Sequence, residues 1–470
     1  MSMLKSRMRR GNNSKLFGTN GVRGIFGQDL NLEFIMNVSR SLASYFAKGP
    51  ILMGLDGRLS SPVISRVVSA TVNSAGSDTS IGGLLPTPCL QYATKNLGYQ
   101  GGIMITASHN PPEYNGIKAI ANDGVEISRE DEVKIELNFK SGNIQSVGKI
   151  GKEGTEDRVI SSYFNSAIQV VDSEKINPKR FKIVMDMGNG TQALVAPFLA
   201  QKLGCRVITV NGNIDGNFPG RGSEPTSANL GTLTSLVKST SADFGVAYDG
   251  DGDRSIFCDE DGKVIWGDKL GASLIAYLLQ NGYKGTDIVC PVNTTMIVST
   301  VAKNAGSKVV HTKVGSVEVS REMIKRNAVL GLEENGGFMN ARLNCVRDGA
   351  LTTLLVLEML SSSSGKKSLS REIHDLPQIF QYKSKFQCKT IELADSVVES
   401  CRTHGTNLKV ENIDGVKIWI DEETWVMVRA SGTEPLIRMY AESTDKDLLD
   451  SKVREYTNLI RSLLDEDRVK

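Results

Sequence analysis

The chain has 470 residues, 40% hydrophobic and 23% charged, with a formal net charge of +2. A single core rarely grows past roughly 250–300 residues, so three or four domains are expected. The near-neutral balance argues against a nucleic-acid binder, and no apolar run is long enough to span a membrane. Along the chain, the basic run of Lys5, Arg7, Arg9 and Arg10 comes first. It reads as a frayed tail without the apolar stretch of a secretory signal. FGTNGVRG (17–24) follows, a tight glycine loop presenting Arg23.

A unit then occurs three times: a β-rich run, a polar loop, an apolar periodic segment, a glycine turn and a second β-rich run. The first copy runs from ILMGLDGR (51–58) through 62–75 and Gly76 to Ile81. The second runs from FKIVMDMGNG (181–190) through 192–203 and Gly204 to RVITV (206–210). The third runs from DIVCPVNTT (287–295) through 296–305 and Gly306 to KVVHT (308–312). Nearly continuous apolar strands suit sheets covered on both faces, and glycine past each helix suits a left-handed stop. The expected fold class is therefore α/β: three α/β domains in series, with ligands held in the loops after the strands. SSSSGKKS (361–368) reads as a linker. Beyond it, TIEL, LKVENIDGVKIWI, TWVMVRA and 436–442 read as strands and 447–464 as an amphipathic helix, an α+β fourth domain. The expected domain ranges are 1–152, 153–255, 256–366 and 367–470.

Four further loops carry candidate chemistry. ITASHNPPEYNGIK (105–118) sets Ser108, His109 and Lys118 in one loop. Serine can attack a phosphoryl group and His or Lys can manage protons; the plainer reading is a long inter-strand loop. YDGDGDR (248–254) alternates Asp249, Asp251 and Asp253. Alternate side chains share one side of an extended segment, and three carboxylates so gathered call for a hard divalent cation. A solvated acidic turn is the plain alternative. An EF-hand is a second one, because Glu260 falls at position twelve, but position six is Arg254 and the flanks read as strands. LEENGG (332–337) offers Glu333 and Asn335 to adjacent sugar hydroxyls, or is a polar turn. VRASGTEPLIR (428–438) places Arg429, Ser431, Thr433 and Arg438 around Gly432, a phosphate nest or a charged hairpin.

In this order the motifs FGTNGVRG, TASHNPPEYNGIK, DGDGDR, EENGG and RASGTEPLIR resemble the α-D-phosphohexomutase superfamily across nearly the whole chain. The resemblance implies four domains around a central cleft. It implies a phosphoserine at Ser108 and Mg2+ held by Asp249, Asp251, Asp253 and a phosphoserine oxygen. Arg254 would neutralise the phosphoryl group, while Lys118, His109 and Arg23 match positions of proton transfer and transition-state charge. Glu333 and Asn335 match sugar-binding positions, Lys313 a cleft lysine, and Arg429, Ser431, Gly432, Thr433 and Arg438 the loop for the non-reacting phosphate. The implied reaction interconverts hexose 1- and 6-phosphates of glucosamine, glucose or mannose through a hexose 1,6-bisphosphate. A magnesium-dependent phosphatase and a sugar-phosphate or calcium-binding protein are the alternatives. Many relatives carry Gly-Glu-x-Ser-Gly-His in the sugar loop, where this chain has Leu332, Asn335 and Gly337. That imidazole is missing, and the EENGG form resembles archaeal-type phosphoglucosamine mutases and phosphomannomutase/phosphoglucomutases. The opening LFGTNGVRG leans toward the phosphoglucosamine branch.

The seven cysteines are scattered and form no C-x-x-C pair, which suggests neither zinc nor disulfides and fits a reduced, cytoplasmic compartment. The expected partner is a small sugar phosphate, with no nucleic acid or membrane, and the protein is expected to be a monomer or homodimer.

Overall fold

A computed structural model describes residues 16–469 apart from 19, 48, 142–148, 362–366, 405–407 and 432–434. The basic run at 5–10, Gly432, Thr433 and most of the expected linker lie outside the described residues.

All three repeated units form strand, helix and parallel strand. Ile51–Leu55 pairs with Thr79–Leu84, Lys182–Asp186 with Arg206–Val210, and Ile288–Pro291 with Val309–Thr312. The helix Ser61–Ser74 carries Pro62 in its first turn and buries Ile64, Val68 and Val72, one stripe at helical spacing. In the third unit Thr295 Oγ1 accepts from Ile297 N at 3.3 Å and caps Met296–Asn304. The second unit departs from one continuous helix: a 3-10 turn, Thr191–Leu194, precedes Ala196–Lys202, whose first turn contains Pro197. Gly76, Gly204 and Gly306 all have positive φ, as the turn positions require.

Each unit is extended by a hairpin. In the first sheet Gly101–Ile105 lies parallel to Ile51–Leu55, and the chain then reverses into antiparallel Tyr114–Ala121. The same plan gives Phe244–Tyr248 with Ser255–Cys258, and Leu330–Leu332 with Phe338–Asn340. The loops at 106–113, 249–254 and 333–337 therefore occupy equivalent positions in three related sheets.

Sheet membership runs past the expected breaks. Glu153–Thr155 pairs with Thr79–Leu84 in the first sheet, and Val264–Ile265 pairs with Ser255–Cys258 in the second. The helix Leu369–His374 buries Leu369 in the core shared with the third sheet, so the fourth sheet begins at Phe380–Gln387.

The fourth sheet is antiparallel, in the spatial order Phe380–Gln387, Leu436–Ser443, Thr424–Ala430, Val416–Trp419, Lys409–Glu411. TIEL, expected as a strand, instead opens the helix Ile391–His404. Thr390 Oγ1 accepts from Leu393 N at 3.1 Å, and Ala394, Val397 and Cys401 face the core. A cap followed by helical spacing outweighs the local β propensity of Thr and Ile. The final helix, Lys446–Val469, packs on this sheet through Leu449, Tyr456 and Ile460, each buried. Burial of such side chains stabilises by about 1.5–3 kcal/mol apiece. No helix among the described residues is long and apolar enough to cross a membrane, and the seven cysteines are free thiols.

Candidate active site

Ser108 sits in the loop between Gly101–Ile105 and Tyr114–Ala121, fully buried, with φ at +52°. A non-glycine residue takes this left-handed conformation only when its surroundings enforce it. Ser108 N donates to Thr106 Oγ1 at 2.8 Å. Arg58, itself buried, donates to the carbonyls of Ser108 (2.8 Å), Asn110 (2.7 Å), Pro111 (2.6 Å) and Tyr114 (2.9 Å). Asp56 holds the Arg58 Nε at 3.0 Å and also accepts from Thr106 and Ser61. Sequence reasoning quoted this Asp-Gly-Arg at the end of a strand without giving it a role.

The second loop meets the first. The Ser108 Oγ donates to Asp249 Oδ2 at 2.8 Å. A Cβ on Gly250 would lie 2.8 Å from the Ser108 carbonyl oxygen, so this approach needs a glycine there. Asp249, Asp251 and Asp253 are buried, with one ligand oxygen from each lying within 4.8 Å of the others. Thr87 Oγ1 donates to Asp251 Oδ2 at 2.6 Å, while Asp251 Oδ1 and Asp253 Oδ1 are buried without a hydrogen-bond partner. Burial, followed by the charges of Asp253 and Asp251, pushes the Asp249 carboxyl well above its usual range. Orphaned buried oxygens in a crowded anionic cluster fit a hard divalent cation such as Mg2+. The EF-hand alternative fails: strands flank the loop, and Glu260 accepts from Ser370 instead.

Cations surround the carboxylates. Lys118 Nζ lies 2.6 Å from Asp251 Oδ2 and 3.3 Å from Asp253 Oδ2. Burial works against its charge, but these carboxylates prevail and hold the ammonium above its ordinary value. Arg23 donates to the Ala107 carbonyl (3.2 Å) and Asn110 Oδ1 (2.7 Å), and its Nε is buried without a hydrogen-bond partner. Burial lowers its guanidinium to about 10. Arg254 N donates to Asp249 Oδ1 at 3.1 Å, and its Nε lies 3.9 Å from Asp253 Oδ1. His109 Nδ1 is 3.3 Å from the Ser108 Oγ. The positive charge of Arg254 first, then burial and Arg23, hold His109 far below its ordinary value, so the imidazole is neutral.

The third loop closes onto this centre through Arg347, a residue that sequence reasoning missed. It donates to Glu333 Oε2 at 2.9 Å and to Asp253 Oδ2 at 2.5 Å. Asn335 Oδ1 accepts from Gly337 N at 3.3 Å, which tightens the turn. Two expected groups lie outside this cluster of contacts. Lys313 is exposed after Val309–Thr312. Arg429 lies opposite Arg438 in the fourth sheet, and Ser431 is buried beside them with its N–H on the Leu436 carbonyl. Asp414 joins these two regions, accepting from Arg429 Nε (2.7 Å) and from Val314 N (2.9 Å).

Models of the phosphoglucomutase/phosphomannomutase α/β/α domains I, II and III match residues 14–145, 161–262 and 266–380, and the C-terminal domain model matches 394–457. A phosphoglucosamine/phosphogalactosamine mutase of Sulfurisphaera tokodaii is 40% identical over 95% of this chain and 99% of that protein. The chain belongs to the α-D-phosphohexomutase superfamily. A phosphoglucomutase/phosphomannomutase of Thermococcus kodakarensis is 38% identical over 96% of this phosphohexomutase and 99% of its own length. A crystal structure of a Burkholderia thailandensis protein described as of the phosphoglucomutase/phosphomannomutase family shares the fold, with a TM-score of 0.83 at 23% identity, covering 95% of this chain and 97% of that one. The phosphohexomutase fold explains why the four motif loops belong to four successive sheets.

Proposed function

We propose that this phosphohexomutase interconverts a hexose 1-phosphate and its 6-phosphate through a phosphoserine at Ser108, with glucosamine phosphates first among its substrates and glucose and mannose phosphates next. The observation that carries the reading is the buried, left-handed Ser108 with its Oγ 2.8 Å from Asp249 in the triple-aspartate cluster. The preference among sugars follows the LFGTNGVRG opening and the name of the Sulfurisphaera relative.

In the forward step the bond from phosphorus to Ser108 Oγ breaks and one to the free O6 or O1 of the sugar forms. The proton of the sugar hydroxyl is taken up as the new bond forms and one is returned to the departing Ser108 Oγ, leaving a serine hydroxyl and a hexose 1,6-bisphosphate. After the bisphosphate turns over in the cleft, its other phosphoryl returns to Ser108; the same compound in trace amounts would activate unphosphorylated enzyme. Asp249, Asp251 and Asp253, with an oxygen on Ser108, would hold Mg2+, which supplies positive charge to the transferring group when bound. Lys118, against Asp251 and Asp253, is the first choice for general base and acid, with His109 beside the Ser108 Oγ. Arg23 and Arg254 offset charge around the phosphoryl. Glu333 and Asn335 contact sugar hydroxyls, Arg429, Ser431, Gly432, Thr433 and Arg438 hold the non-reacting phosphate, and Lys313 serves as a substrate-binding cleft lysine.

The test is phosphorus NMR on purified protein with Mg2+, a trace of hexose 1,6-bisphosphate and the phosphates of glucosamine, glucose and mannose. Isomer exchange without phosphate release is expected, fastest for glucosamine. Ser108→Ala should lose at least about a thousandfold in turnover with an unchanged melting temperature. Steady release of free phosphate without isomer exchange would mean a phosphatase.

A further inference from the structure

Gly336 and Gly337 end the third loop for different reasons. Gly336 has φ at +87°, and a Cβ there would lie 2.2 Å from the Ser255 carbonyl oxygen. Gly337 lies outside the left-handed region, so its φ does not call for glycine. What excludes a side chain at 337 is Arg347: an added Cβ would sit 2.3 Å from its Cδ and 2.7 Å from its Cγ. The stem of Arg347 fills the space that a side chain at 337 would occupy.

From that seat, at the end of the strand Asn344–Arg347, the guanidinium reaches two loops. NH1 takes Glu333 Oε2 at 2.9 Å and NH2 takes Asp253 Oδ2 at 2.5 Å. All three side chains are nearly fully buried: Arg347 is 5% exposed, Glu333 4% and Asp253 1%. A charge-assisted bond to each of two carboxylates leaves the fork one low-energy orientation. A lysine ammonium, a point charge, lacks that geometry.

We propose that Arg347 is a positioning residue for the sugar, seated by the absence of a side chain at 337. It takes one oxygen of Glu333, aims the other at the sugar hydroxyls, and locks that loop to Asp253 so that sugar and transferring phosphoryl share one frame. This rests on the mutase reading and on Glu333 as a sugar ligand.

Two substitutions reach the same contact from opposite sides. Arg347→Met keeps the stem and removes the guanidinium. Gly337→Ala keeps the guanidinium and displaces the stem. The readouts are KM and kcat for glucose and glucosamine 1-phosphates, calorimetric binding of the corresponding 6-phosphates, and melting temperature. Each variant should weaken both KM and calorimetric affinity by about tenfold or more, the loss of one charge-assisted hydrogen bond. The double variant should bind no more weakly than Arg347→Met alone, because both changes remove one interaction. Arg347→Lys should recover part of the loss. Unchanged sugar binding in Gly337→Ala, or losses that add in the double variant, would overturn the proposal; a lowered melting temperature with normal binding would do so too, leaving Arg347 a structural ion pair. If the unaltered protein binds these sugar phosphates but exchanges none of them, the mutase reading fails instead.

Discussion

Arg58 uses all five of its N–H donors: one on Asp56 and four on the carbonyls of Ser108, Asn110, Pro111 and Tyr114. It contacts no expected substrate group, yet it fixes the backbone that holds Ser108 at φ +52°. Lysine has three donors around one nitrogen and cannot reproduce that fork. Arg58→Lys is expected to lower kcat by tenfold or more, about 1.4 kcal/mol on the barrier, with KM little changed. Steady-state kinetics beside a thermal melt separate the outcomes: a lowered melting temperature with full kcat would show the clasp to be merely structural. The neighbouring Ser108, His109, Lys118 and Asp triplet were legible in the sequence because they lie close together within two short motifs. Arg58 and Arg347 were not, since Arg58 clasps a loop 50 to 56 positions ahead of it and Arg347 joins Glu333, 14 positions back, to Asp253, 94 positions back.

At the scale of elements, the hairpin that follows each strand-helix-strand unit delivers the chemistry, and the helix starts around it carry buried polar groups. Asp268 is one, in the first turn of Gly267–Gln280, accepting from Thr295 N at 3.1 Å, with Oδ1 buried and unpartnered. Burial raises its carboxyl from 3.8 to about 7, with Lys383 opposing and Glu334 and Glu442 reinforcing the rise. The folded chain therefore keeps a proton that the unfolded chain releases between those values. The native state binds more protons in this window, so the contribution of Asp268 to stability is fully present below pH 3.8 and is lost as pH rises to about 7. Asp268→Asn should remove up to about 1.4 kcal/mol per pH unit from that decline. Urea midpoints at pH 5, 6, 7 and 8 check it: the variant should gain on the parent chain up to pH 7 and hold a constant lead above it. A parallel pair of curves would show that Asp268 stays ionised.

Across the whole molecule the site exists only where four sheets meet. Lys118 of the first sheet binds Asp251 and Asp253 of the second, Arg347 carries the contact to Glu333 of the third, and Lys383 of the fourth pairs with Glu334 beside it. Asp414 ties Arg429 to the third-sheet loop at Val314. Arg429 bonds to Asp414 rather than to the groups around Ser108, so its role should be in holding the distant phosphate. Arg429→Ala is expected to raise KM about tenfold or more while kcat changes far less. An unchanged KM in the steady-state assay would remove Arg429 from the phosphate loop.

The sequence by itself determined the three strand-helix-strand units, the order of the motif loops and the gathering of three aspartates, because period, turn glycines and short spacing are local properties. It misplaced TIEL, where a threonine cap and the burial of Ala394, Val397 and Cys401 outweighed β propensity. Only the tertiary structure decided that Arg254 and Arg23 crowd His109, that Asp251 and Asp253 flank Lys118, and that Gly337 makes room for Arg347. These depend on which charges and side chains become neighbours after folding, and neither spacing nor composition carries that information.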